Sequence, residues 1–196
     1  MANSRLVGRV RILPHTRGVR WKLRIDSRFL PASRVRITRF SSPFVAPGDH
    51  RAQAVLLDKR GRRIAASPVR SVHVDALVAA AGDIACDPSE PGFAGTGPEC
   101  HHRQTAALLG LRHYSAIFTL GDEQYECGAA NAFTQSYAKT WGKYKSITHP
   151  AVGDHEYGTK KLGCPKGTAA RDYFAYFGAA AGPPSKGYYS FDLGGW

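Results

Sequence analysis

At 196 residues, with 43% hydrophobic and 21% charged side chains, the chain has the balance of a folded globular protein, long enough for one large domain or two small ones. That balance excludes an intrinsically disordered chain, and no apolar run reaches the length of a membrane span. The net charge of +12 is carried unevenly: residues 1–75 hold 17 Lys and Arg against 4 Asp and Glu, a net +13, whereas residues 76–196 hold 10 against 11, a net −1. This step predicts two domains, 1–75 and 76–196.

Met1-Ala2-Asn3-Ser4-Arg5 opens the chain, and no apolar core of signal-peptide type follows it. Apolar and polar residues then alternate with period two in Val7-Gly8-Arg9-Val10-Arg11-Ile12 and again in Val19-Arg20-Trp21-Lys22-Leu23-Arg24-Ile25. Alternation of this kind predicts half-buried strands whose solvent face is basic. Further strands are predicted at 34–39, 51–57 and 69–74, with turns at 46–49 and 58–61, which together suggest a small all-β sandwich. The basic face is first of all a solvated surface, and beyond that a weak, salt-sensitive electrostatic contact for anionic polymers. No recognition helix, zinc-finger spacing or aromatic RNA-binding motif accompanies it.

In residues 76–196 three short apolar runs each end in Gly-Asp: 78–81 before Gly82-Asp83, 117–120 before Gly121-Asp122, and 150–152 before Gly153-Asp154. Each reads as a buried strand stopped by a glycine turn, so the three aspartates are expected at the carboxyl edge of one sheet, where open α/β sheets bind ligands. One Gly-Asp alone is a routine turn. Three carboxylates gathered together repel unless a cation lies between them. Tyr125 follows Asp122 by three positions and His155 adjoins Asp154, adding a phenol and an imidazole that suit iron, manganese or zinc.

Helices are predicted between the strands, at 101–111 and at 133–144, where Phe133, Tyr137, Trp141 and Tyr144 fall at helical spacing as a core stripe. His101 and His102 beside Cys100 match no common zinc spacing, and His113 and His149 stand alone in the sequence. The chain has no GxSxG elbow, P-loop or GxGxxG motif. Cys86, Cys100, Cys127 and Cys164 form an even set in loops, which fits disulfides of an oxidising compartment. Three pairings are possible, and proximity favours Cys86 with Cys100 and hence Cys127 with Cys164.

Gly82-Asp83-Ile84-Ala85-Cys86, Gly121-Asp122-Glu123-Gln124-Tyr125 and Gly153-Asp154-His155-Glu156 resemble, in order and spacing, the first three motif blocks of the calcineurin-like metallophosphoesterases, nearest to the purple acid phosphatase branch. The pattern there is GD, then GDxxY, then GNHE or GNHD. The resemblance implies an α/β (α+β) metallophosphoesterase-type sandwich and hydrolysis of a phosphate ester at a centre of two metal ions, iron with zinc, manganese or a second iron. Carried over by position, Asp83 ligates the first metal, Asp122 bridges both, Tyr125 binds the first as a phenolate and Asp154 ligates the second. His155 is the catalytic histidine that steadies the transition state or protonates the leaving group. Asp154 replaces an asparagine of the family and adds negative charge at the second metal. The family has further histidines in later VxxH and GHxH blocks, and none follows His155, so the expectation is the N-terminal half of such a domain with impaired activity. The alternative is an inactive remnant that serves as a metal- or anion-binding interaction module. Residues 45–74, with Pro47-Gly48-Asp49-His50 ahead of an AxAVxxDxxG stretch at 52–61, are similar to the closing strands of bacterial immunoglobulin-like modules. Such modules often precede secreted hydrolases, which makes a secreted or extracellular location the expected one.

Overall fold

The computed structural model describes residues 7–11, 19–30, 37–41, 45–95, 98–158, 164, 169–183 and 185–194. They fall into two compact units, one spanning Leu77–Phe191, the other lying before residue 77 and taking in the segment from Asp192 onward.

The N-terminal unit is built of strands. β1 (Val7–Arg11) pairs antiparallel with β4 (Ile37–Ser41). β2 (Arg20–Ile25), β3 (Arg28–Phe29), β5 (Gly48–Leu57), β6 (Arg63–Ala66) and β7 (Arg70–Val74) form a second antiparallel sheet in the order β3-β2-β5-β6, with β7 also on β5. The alternation of β2 works as read: Trp21, Leu23 and Ile25 are buried together with Val45 and Val74, while Arg20 and Arg24 face water. Each of those buried apolar side chains contributes about 1.5–3 kcal/mol relative to exposure. The turn at 58–61 is shaped by Asp58, whose carboxylate accepts the Arg60 and Arg62 amides and the Arg62 guanidinium, while Gly61 takes a positive φ of 80°. β5 starts two residues into the turn expected at 46–49, because Gly48 and Asp49 pair with Val74 and His73. The predicted positions Ile12 and 34–36 lie outside the described residues, as do residues 1–5.

The second unit contains a parallel sheet in the order β10-β9-β8, formed by β8 (Val78–Ala81), β9 (Ala116–Leu120) and β10 (Thr148–Ala151). Ala81 is level with Thr119, and Ala151 with Leu120, so all three strands end at one edge. β9 is buried at Ala116, Ile117 and Thr119, whereas Leu120 at its end is 64% exposed. β8 is not the buried strand expected: it is an edge strand among the described residues, and Val78 is 39% exposed. The third strand sits earlier than read, with Val152 beyond it and Pro150 within it, where an edge strand tolerates the missing amide.

Helix α1 (His102–Leu109) connects β8 to β9 and stops at Gly110. The helix expected at 133–144 is broken into α2 (Ala130–Gln135) and two 3-10 helices, Tyr137–Lys139 and Trp141–Ile147. Thr140 causes part of this, since its hydroxyl bonds back to the Ser136 and Tyr137 carbonyls and competes with helical pairing. Phe133, Tyr137 and Trp141 nevertheless remain in the core with Ile117 and with Tyr173 and Phe177 of α4 (Arg171–Phe177). The four-residue α3 (Asp154–Tyr157) follows β10 directly. The aromatic segment from 187 forms no strand among its described residues. It is held by side chains instead: Phe191 stacks on His149 at 3.6 Å, and the Tyr189 hydroxyl donates to the Pro150 carbonyl. Among the described residues no helix is long and apolar enough to cross a membrane.

Candidate metal centre

Three glycines bring the strand ends together. A Cβ on Gly82 would lie 3.3 Å from the Gly121 carbonyl oxygen, and one on Gly121 would lie 3.1 Å from the Gly153 Cα. One on Gly153 would fall 2.0 Å from Asp122 Oδ1. The strand ends therefore meet backbone to backbone, an approach that a side chain would wedge apart. Pairing continues past the glycines, with Asp83, Ile84 and Ala85 amides donating to the carbonyls of Gly121, Asp122 and Glu123. Asp83 and Asp122 both adopt left-handed backbone, with φ of 54° and 50°, a conformation aspartate enters more readily than most residues.

Asp122, Asp154 and His155 converge: each offers one ligand atom, and these lie within 4.8 Å of one another. Asp83 stands outside this trio, linked to it through Tyr125. The Tyr125 hydroxyl donates to Asp83 Oδ1 at 2.5 Å, and its ring lies edge-on to the His155 imidazole with centroids 4.4 Å apart. All five residues singled out in the sequence thus form one connected group. Asp83 and Asp154 are exposed, and Asp122, Tyr125 and His155 half-buried, so the group is open to a ligand.

His155 is held in a defined tautomer. Its Nδ1 lies 2.7 Å from the Glu126 carbonyl oxygen, which only accepts, so Nδ1 carries the hydrogen and Nε2 is left for a ligand or a proton. Its amide reaches Asp122 Oδ1 at 3.3 Å. Burial, followed by the hydrogen bond and charge of Asp83, pushes the Tyr125 phenol well above its ordinary value of 10. Ionising that phenol requires a strong positive charge beside it.

Two buried carboxyl groups under this cluster were not singled out from the sequence. Glu123 and Glu156 are 0% and 1% exposed. Glu123 accepts from the Thr119 hydroxyl at 2.7 Å, and burial, then the Glu156 charge, pushes it up to about 9. Glu156 is also raised, chiefly by burial, against which the Gln124 and Gly153 amides donate to its two oxygens at 2.9 and 3.0 Å. Gln124 reaches the Ala85, Cys86 and Tyr125 carbonyls and accepts from the Tyr137 amide, joining the loops after β8 and β9 to the core. The sequence signal for this layer is an acid one position after Gly121-Asp122 and two positions after Gly153-Asp154. The disulfides pair Cys86 with Cys100 and Cys127 with Cys164, so each has one cysteine within three residues of Asp83 or Tyr125.

The donor set fits a di- or trivalent cation. It combines hard carboxylates with a phenol and an imidazole, and among the described residues no Lys or Arg pairs with Asp83, Asp122 or Asp154. Set against family models, curated proteins and solved structures, the chain matches none.

Proposed function

We propose that this protein is a metal-dependent phosphoesterase of the calcineurin-like type, with a preceding immunoglobulin-like module. The observation that carries the reading is the convergence of Asp122, Asp154 and His155 within 4.8 Å, with Asp83 and Tyr125 joined to them. Asp83, Asp122 and Tyr125 would hold one ion and Asp122 and Asp154 a second, iron with zinc, manganese or another iron. When bound, such ions supply Lewis-acid activation of a phosphate ester and a nucleophilic hydroxide near neutral pH. The chain's own contribution is positional. Asp122 is fixed by the Gly153 contact and the His155 amide, and the Glu126 carbonyl sets the tautomer that leaves His155 Nε2 to meet a leaving-group oxygen. Two disulfides support a secreted or extracellular setting.

The test is an aryl-phosphate assay on chelator-stripped protein reloaded with iron, manganese or zinc. Metal-dependent turnover that vanishes in Asp122→Asn supports the reading. Stoichiometric metal binding with no turnover would leave a binding remnant, and neither binding nor turnover would overturn the assignment.

One observation favours the second reading, an anion-binding interaction module. On β2, Arg20, Lys22 and Arg24 project every second residue, about 7 Å apart, and among the described residues none is paired with a carboxylate. Exposed Phe29 lies beside them, with the Lys22 ammonium 5.8 Å from its ring. Salt-sensitive retention of a single-stranded oligonucleotide, lost on replacing the three cations by alanine, would support a contact of this kind.

A further inference from the structure

A separate cavity of about 280 Å³ lies between α1 and the segment after α2. None of the five candidate metal-site residues lines it, and no Asp or Glu does. Its wall carries three cations: Arg103 from α1, Lys139 from the first 3-10 helix and Lys143 from the second. Among the described residues none of the three forms an ion pair, so three exposed like charges border one space with no carboxylate between them, the Arg103 guanidinium lying 5.6 Å from the Phe93 ring centroid.

The same wall contains two buried polar groups with nothing to bond. His102 and Ser136 are each 1% exposed, and both ring nitrogens of His102 and the Ser136 hydroxyl lack a hydrogen-bond partner. A buried polar group left unsatisfied destabilises the fold, so such groups call for a ligand or a bound water. Burial, and then the Arg103 charge, holds the His102 imidazole below its ordinary value, leaving it neutral with one N–H to donate. Thr140 is not in the same position, since its hydroxyl is already spent on the Ser136 and Tyr137 carbonyls.

We propose that this cavity is a binding site for a small phosphate-bearing anion, whose oxygens are held by Arg103, Lys139 and Lys143 and accept from one ring N–H of His102 and from the Ser136 hydroxyl. Three cations from three elements suit a dianion better than a carboxylate. The volume falls just under the roughly 300–1,000 Å³ of drug-sized pockets, which fits a phosphate with a short organic group rather than a nucleotide. The site is independent of the proposed metal centre and needs no metal.

The experiment is a calorimetric titration of inorganic phosphate into chelator-treated protein at fixed ionic strength. Binding should saturate at one site, weaken by roughly tenfold or more in the Lys139→Ala, Lys143→Ala double variant, and persist unchanged in Asp122→Asn. The His102 ring resonances of the unaltered protein should shift along the same binding curve, a readout that stands even if the double variant fails to fold. Phosphate heats matched by chloride, or binding that survives in the folded double variant, would overturn the proposal. So would loss of binding in Asp122→Asn, which would assign the phosphate to the carboxylate cluster instead.

Discussion

Gly153 stands so close to Asp122 that one added methyl group would meet both Oδ1, at 2.0 Å, and the main-chain nitrogen, at 2.3 Å. Its own φ of −101° suits any residue, so the restriction is steric. Gly153→Ala is therefore expected to cost about 1–3 kcal/mol, as overpacking does, and to weaken metal binding by shifting the Asp122 carboxylate. Thermal melts and a metal titration check this. An alanine variant with unaltered melting and affinity would show that the contact does not position Asp122.

Asp122→Asn keeps a residue that tolerates left-handed backbone while removing the charge. The fold should survive, and metal affinity should fall by more than the roughly 10–100-fold typical of losing a group that merely supports a ligand. Calorimetry with manganese or zinc, alongside circular dichroism, separates the two effects.

Tyr125→Phe keeps the ring against His155 and deletes the hydroxyl that bonds Asp83. The stability change should stay within about 0.5–1.5 kcal/mol, the net worth of one hydrogen bond. Iron-reconstituted protein is expected to absorb in the visible through a phenolate ligand, and the variant is expected to lose that band. A band retained in Tyr125→Phe would remove the residue from the ligand set.

Glu123 makes stability depend on pH. Its carboxyl lies at about 9 in the folded protein against an ordinary 4.5, raised first by burial and then by Glu156. A raised acid binds its proton more tightly folded than unfolded, so its contribution is complete below about 4.5 and is lost as pH climbs toward 9. Metal-free protein should lose stability across that window, and Glu123→Gln should flatten the profile. Denaturant melts at several pH values measure it, and identical slopes in the two proteins would refute the assignment.

Replacing Cys127 and Cys164 by serine opens a loop with a sequence separation of 37. The expected loss is about 3–4 kcal/mol by chain entropy. Activity should fall further than stability alone requires, because Cys164 also approaches the Glu126 carbonyl that orients His155. Comparing turnover with the folded fraction at one temperature tests this.

The candidate site was the most legible part of the sequence because glycine and aspartate announce local backbone behaviour. Gly82, Gly121 and Gly153 each mark where a strand must stop and another backbone come close, and those features depend on a few adjacent residues. The inner layer was not legible. Nothing local distinguishes Glu123 from the half-buried Glu126 three positions later; only the tertiary packing that buries the first reveals it. The helix read over 133–144 failed for a similar reason. Its aromatic spacing reports burial, which the 3-10 segments preserve, while the hydroxyl of Thr140 decides the backbone pairing. His102 matches no zinc spacing in the sequence, and its unpaired ring nitrogens are visible only once the cavity around it is formed.

The positive φ shared by Asp83 and Asp122 narrows which amino acids can replace them. Alanine or a branched side chain strains the main chain and announces itself as a weakened protein, whereas asparagine slips in unnoticed. Amide exchange at either position would pass every screen for expression, solubility and melting while erasing the charge on which the proposed metal binding depends. A collection of variants ranked by folding alone would therefore count as healthy the very molecules that had lost a proposed metal ligand.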